Sequence, residues 1–147
     1  MKTILFIGFV YFSGILANGQ ETGCVSGSCE DGFGKYVYAN GFIYEGNFKE
    51  GLRSGLGKLT RPDGDIYDGM WENDQFNGQG SYIWADGSKY TGEWKDGVQD
   101  GYGIFFYTNG DKYTGYFKNN QFHGKGKYTW ADGTFQEGIY ENGVFKK

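Results

Sequence analysis

Few side chains in this sequence have the type and spacing that chemistry requires. His123 is the only histidine, and Cys24 and Cys29 are the only cysteines. Nucleophilic catalysis of the Ser-His-Asp or Cys-His kind needs a base held beside a nucleophile and a third group that orients it. His123 is related by a 23-residue step to Asp100, Asn77 and Ser54, so it stands at a freely varying position and reads as a solvated loop residue. Asp63, Asp86 and Asp132 each precede a glycine and read as turn residues, not as acid/base groups. The segment DGDIYDG, residues 63–69, has the outline of a calcium loop. Tyr67 stands where the third ligand belongs, however, and Asp68 where the loop needs its glycine. Gly-x-Gly recurs, but never as GxGxxG and never before Lys-Ser/Thr, so a phosphate cradle is not expected. These readings predict neither an enzyme nor a cofactor or metal site. Cys24 and Cys29 are the pair expected to form a disulfide in an exported chain, and they would straddle the connection after the first strand.

The elements that must position these groups come from one repeat. Tyr44, Tyr67, Tyr90 and Tyr113 are spaced 23 residues apart, as are Phe48, Trp71, Trp94, Phe117 and Tyr140. The same step links Gly46, Gly69, Gly92, Gly115 and Gly138, the glycines that would be structural. It also links three further glycine series, which begin at Gly32, Gly34 and Gly41. Of the glycines beyond residue 19, only Gly27 falls outside this register.

In the unit Tyr90–Lys112, Tyr90, Gly92 and Trp94 alternate with Thr91 and Glu93, which is the period of a strand. Residues 95–101 read as a longer glycine-rich connection. Gly103, Phe105 and Tyr107 then alternate as a second strand, and Asn109-Gly110 reads as a two-residue type I′ turn. Chained units give an up-and-down antiparallel meander. Glycine inside a strand costs about 0.5–1 kcal/mol. Its recurrence beside aromatics predicts a slot in which a ring from the adjoining strand or repeat lies on the backbone. Tyr67, Trp71, Trp84, Tyr90, Trp94, Tyr107, Tyr113, Phe117 and Trp130 alternate onto one face, where they are expected to pack on one another and on the glycines, or, where part of the stripe stays open as a groove, to form the ligand or partner face.

Composition agrees. The 147 residues include 28 Gly, 1 Pro, 13 Tyr, 13 Phe and 4 Trp, with net charge −4. So much glycine argues against a helical bundle, so many aromatics against disorder, and so little proline against collagen. The acidic balance argues against a nucleic-acid partner. Residues 1–19 carry Lys2, an apolar run from Ile4 to Ala17, and small residues Ala17 and Gly19 before a cleavage point. This reads as a signal peptide, which places the chain outside the cell, in the periplasm or at the cell surface.

The segments YEGNFKEGLRSGLG, YDGMWENDQFNGQG, YTGEWKDGVQDGYG and YTGYFKNNQFHGKG resemble the MORN (membrane occupation and recognition nexus) repeat. Asp74 and Asn120 replace one of its glycines, and Gln136 replaces its tyrosine. The resemblance implies an all-β, elongated, single-layer twisted antiparallel sheet of tandem 23-residue hairpins with a scaffold role. It divides the chain into a signal peptide (1–19), a disulfide-stapled capping unit (20–43), four repeats (44–66, 67–89, 90–112, 113–135) and a terminal half repeat (136–147). The expected partner is a protein or a second copy. Carbohydrate or another envelope polymer on the aromatic face is the alternative, and a membrane surface a weaker one because the chain is acidic.

Overall fold

The computed structural model describes residues 14, 15 and 19–147. The expected signal peptide therefore lies almost wholly outside the described residues. At its edge, Ile15 bridges Glu21, and Thr22 donates its N–H to the Gly14 carbonyl at 2.6 Å.

Every element among the described residues is a strand. In chain order these are β1 (Gly23–Gly27), β2 (Gly32–Val37), β3 (Ile43–Lys49), β4 (Leu52–Thr60), β5 (Ile66–Glu72), β6 (Gln75–Ile83), β7 (Lys89–Lys95), β8 (Val98–Phe106), β9 (Lys112–Lys118), β10 (Gln121–Thr129), β11 (Phe135–Glu141) and β12 (Val144–Phe145). They form one antiparallel sheet in sequence order, β1 to β12. Each unit pairs a seven-residue strand with a nine-residue one. The longer strand takes up its extra residues in a bulge: Gly46 pairs with Gly57, yet Phe48 pairs with Arg53. Because the register repeats without a slip, Gly34, Gly46, Gly57, Gly69, Gly80 and their successors to Gly138 form one row across the sheet.

The two turn types are the reverse of the sequence expectation. The connection within residues 95–101 is the tight one. Asp96 (φ 49°) and Gly97 (φ 83°) both have positive φ, as do Asn73 and Asp74, and Asn119 and Asn120, which makes these the two-residue type I′ turns. At Asn109-Gly110, only the glycine has positive φ (93°). There Gly110 N–H bonds to the Tyr107 carbonyl at 3.1 Å and Tyr107 N–H to the Asp111 carbonyl at 2.9 Å, a three-residue loop ending in a left-handed glycine. The acidic or amide residue of this loop caps it: Asp86, Asn109 and Asp132 accept the N–H two residues on, at 2.8–3.0 Å.

The tight turns also tie each repeat to the one before it. Gly51, Asp74, Gly97, Asn120 and Gly143 donate their N–H groups to the carbonyls of Glu30, Arg53, Phe76, Gln99 and Phe122. Where the glycine is replaced, the side chain adds a bond of its own. Asp74 Oδ1 accepts from Arg53 N and Nε at 2.9 Å, and Asn120 Oδ1 accepts from Gln99 N at 2.8 Å.

At the N-terminal end, Cys24 of β1 is disulfide-bonded to Cys29 just before β2, with Cα atoms 5.9 Å apart. A loop this short gives an entropic stabilisation of about 2 kcal/mol. In Cys24→Ser, the amides of β1 are expected to lose hydrogen-exchange protection while β3–β11 keep theirs. Loss of all cooperative unfolding in that variant would contradict this local role.

Candidate functional site

The first face of the sheet carries the rings. Tyr44, Tyr67, Tyr90 and Tyr113 are 0–1% exposed. Each lies along its own strand, over the glycine two residues ahead and over that glycine's cross-strand partner. For Gly57, Gly80, Gly103 and Gly126 the ring comes from the adjoining strand, as the sequence suggested; for Gly46, Gly69, Gly92 and Gly115 it comes from the same strand, because the side chain leans along the strand direction. The tyrosine hydroxyls donate to the carbonyls of Asn47, Met70, Glu93 and Tyr116 at 2.8–3.1 Å. Neighbouring repeats then close over the tyrosines from the side: Trp71 meets Tyr44 edge-on at 5.2 Å, Trp94 meets Tyr67 at 5.5 Å and Phe117 meets Tyr90 at 4.9 Å. Trp71 Nε1 donates to the Gly57 carbonyl at 2.9 Å. Burial pushes all four tyrosine phenols well above their ordinary pKa of 10.

The expected ligand face therefore divides in two. Tyr67, Trp71, Tyr90, Trp94, Tyr113 and Phe117 are core, 0–6% exposed, and present no surface to a partner. A single-layer sheet has no second layer to cover it, and these rings cover one another instead. Trp84, Tyr107 and Trp130 stay half-open beside the three-residue loops, in a ribbon of tilted rings whose centroids are 4.6–5.8 Å apart, running through Phe105 and Tyr128. Arg61 takes the equivalent place one repeat earlier, its guanidinium 5.3 Å from the Phe42 ring.

Two carboxylates sit under this ribbon, and both are committed. Asp111, 8% exposed, accepts from Tyr128 Oη at 2.7 Å and Ala131 N at 2.9 Å. The Tyr128 hydrogen bond holds the Asp111 carboxyl below the usual carboxylate range. Asp65 repeats the arrangement with Tyr82 Oη and with Ala85 N at 2.9 Å. Sequence reasoning missed both residues, although each directly follows the Asn-Gly or Asp-Gly step.

His123 is not in a loop. It lies in the bulge of β10, half-buried, and its Nδ1 is enclosed without a hydrogen-bond partner. Among the described residues, no group of three or more His, Cys, Asp or Glu is placed to hold a metal ion, and no helix is long and apolar enough to cross a membrane.

The second face was not foreseen. It is built from positions that vary between repeats. One row reads Lys35, Glu45, Lys58, Asp68, Ser81, Thr91, Ile104, Thr114, Lys127 and Glu137, each paired with the next. Beside it run the pairs Phe33–Asn47, Leu56–Met70, Gln79–Glu93, Tyr102–Tyr116 and Lys125–Ile139. Phe33 is 60% exposed and Leu56 62%, and Met70, Tyr102, Tyr116 and Ile139 are exposed as well. Around β8–β11 this face dips into a trough of about 660 Å³, lined by Tyr102, Tyr116, Lys125, Lys127, Phe135 and Ile139 among others.

A family model described as MORN repeat matches residues 30–42, 44–66, 67–89, 90–112 and 113–135. A solved structure, the SAS-4 (dCPAP) TCP domain in complex with a proline-rich motif of Ana2 (dSTIL) of Drosophila melanogaster, is similar at 15% identity over 95% of this chain and 83% of that chain, with a TM-score of 0.41.

Proposed function

Because this chain belongs to the MORN repeat family, we propose that it is an exported, non-enzymatic scaffold that docks protein on the second face of its sheet. The observation that carries the reading is the row of exposed apolar side chains, Phe33, Leu56, Met70, Tyr102, Tyr116 and Ile139, on that face. Soluble monomers rarely leave such rows uncovered. The half-open ribbon at Trp84, Tyr107 and Trp130 supports a second reading, in which the first face holds an envelope polysaccharide against its rings. Export is supported by the leader pattern of residues 1–19 and by the Cys24–Cys29 disulfide, which belongs to an oxidising compartment. A binding role, not a catalytic one, is supported by Asp65 and Asp111, whose oxygens are already engaged by tyrosine hydroxyls and backbone N–H groups.

The test is affinity capture from the envelope and medium of the exporting cell. The exported protein is expected to begin at Gln20. Capture of its partner is expected to fall roughly tenfold in a Met70→Lys/Tyr102→Lys variant with unchanged circular dichroism. Capture that survives this variant would sink the second-face reading. Co-sedimentation with cell-wall polymer that is lost in Trp84→Ala/Trp130→Ala would instead establish the polysaccharide reading.

A further inference from the structure

We infer that the occupant of the second face is another copy of this chain, related by a two-fold axis that runs parallel to the strands between β6 and β7. This rests on the scaffold reading above and names its partner.

Charge selects the arrangement. Two identical sheets packed face to face with their strands aligned have the two-fold axis either across the strands or along them. With the axis across the strands, every strand lies over its own copy. When that axis runs along the charged row, Lys35 meets Lys35 and Glu45 meets Glu45. With the axis along the strands, the strand order reverses while each row still faces itself. Strand β2 then lies over β11 of the second copy, and β3 over β10. Lys35 now faces Glu137 of the second copy, and Glu45 faces its Lys127. Within one chain, Lys35 already reaches Glu45 at 3.9 Å and Lys127 reaches Glu137 at 3.5 Å. Each end of the dimer therefore holds a square of four charges in alternating sign.

The neighbouring row obeys the same reversal. Phe33 falls on Ile139 of the second copy, Leu56 on Tyr116, and Met70 on Tyr102, while the polar pair Gln79 and Glu93 meets itself at the centre. Moving the axis by half a strand spacing towards the C-terminal end sets Glu45 against Glu137. Moving it by a whole spacing restores opposite charges but puts Met70 on Lys125 and Gln79 on Tyr116. Of these three, only the central axis joins opposite charges at both ends to apolar contacts between them; there Lys58 faces Thr114 and Asp68 faces Ile104, and these two charges are each other's cross-strand neighbours.

Shape and area agree. The trough around Tyr102 and Tyr116 lies at one end of the face, and the protruding Phe33 and Leu56 lie at the other, so reversal sets each projection over the other copy's hollow. Ten strands about 4.8 Å apart, with five residues each at about 3.3 Å, give roughly 800 Å² per copy, the area of a standard stable interface.

Two measurements test this on the protein expressed from its full sequence. Zero-length carbodiimide coupling is expected to link Lys35 to Glu137. These residues sit nine strand spacings apart, or about 43 Å, so the link cannot form within one chain. Absence of that link in a coupled dimer overturns the arrangement. In sedimentation at up to about 100 μM, where a standard interface is populated, the wild type is expected to be a dimer. Leu56→Asp alone and Tyr116→Lys alone are each expected to weaken it about 30-fold or more, because each buries two unpaired charges. An equimolar mixture of the two variants is expected to recover the dimer, since Asp then faces Lys once and Leu faces Tyr once. A monomeric wild type, a dimer indifferent to both variants, or a mixture that stays monomeric overturns the inference. A monomer that still captures a partner through Met70 and Tyr102 leaves the scaffold reading standing, so the two failures are distinguishable.

Discussion

Gly92→Val is expected to remove about 3 kcal/mol or more of stability, a large share of the total for a domain of this size. A side-chain carbon placed at Gly92 would lie 2.5 Å from the Gly103 Cα, 2.6 Å from the Tyr102 carbonyl oxygen and 2.6 Å from Tyr90 Oη. Two of these three atoms are backbone of the neighbouring strand and cannot rotate away. The strand pair must separate or the Tyr90 ring must leave its site, and either change exposes Trp94 and Phe117, which pack against that ring. Because repeats support one another only through nearest neighbours, a break at the centre is expected to split denaturant unfolding into two transitions. Thr91→Ala, one residue away on the exposed second face, should stay within about 0.5 kcal/mol of the wild type. A Gly92→Val melt that overlays the wild type would refute the steric role of the glycine row.

The second large effect comes from alkali. Burial raises the phenol pKa of Tyr44, Tyr67, Tyr90 and Tyr113, so the folded state holds these groups neutral where the unfolded chain would ionise them. The folded pKa lies above the unfolded value of about 10, so this contribution is complete below pH 10 and is lost as pH rises towards the folded value. Each such phenol removes up to about 1.4 kcal/mol by pH 11, and four together up to about 6 kcal/mol. That matches the whole stability of a typical small domain. The phenolate absorbance of these four buried tyrosines and the circular dichroism are therefore expected to change together, in one cooperative step near pH 11. Tyr90→Phe should lower stability at neutral pH by about 1 kcal/mol, through the lost bond to the Glu93 carbonyl, yet move the alkaline midpoint upward. Ionisation of Tyr44, Tyr67, Tyr90 or Tyr113 near pH 10 in an intact fold would contradict the packing described.

Much of the fold was legible because the register is uninterrupted. Tyr44 to Tyr113 and the glycine row fell into their columns from spacing alone, since each side chain in a strand has only two faces to choose between. The turns were misassigned because their chemistry is degenerate. Asp96-Gly97 carries the same signal as Asp86-Gly87. Whether one or both residues take positive φ is decided by how many residues separate the paired ends, which composition does not reveal. The site was less legible. Periodicity placed Trp71 and Trp84 on the same face, but only packing shows that Trp71 is buried against Tyr44 and Tyr67 while Trp84 stays half-open against Tyr82 and Phe105. The second face escaped notice for another reason. The residues that recur build the core, and positions such as Asn47, Met70, Glu93, Tyr116 and Ile139 differ from unit to unit, so no column drew attention to them.

The backward-pointing bonds of the tight turns give the array a direction. Each donor reaches an acceptor about 21 positions earlier in the chain, from Gly51 to Glu30 through to Gly143 and Phe122. A polypeptide emerging N-end first thus finds every latch plate already installed when the next bolt arrives. Growth can stop after any unit without orphaning a donor, whereas cutting from the front strands the bolt of the first surviving unit.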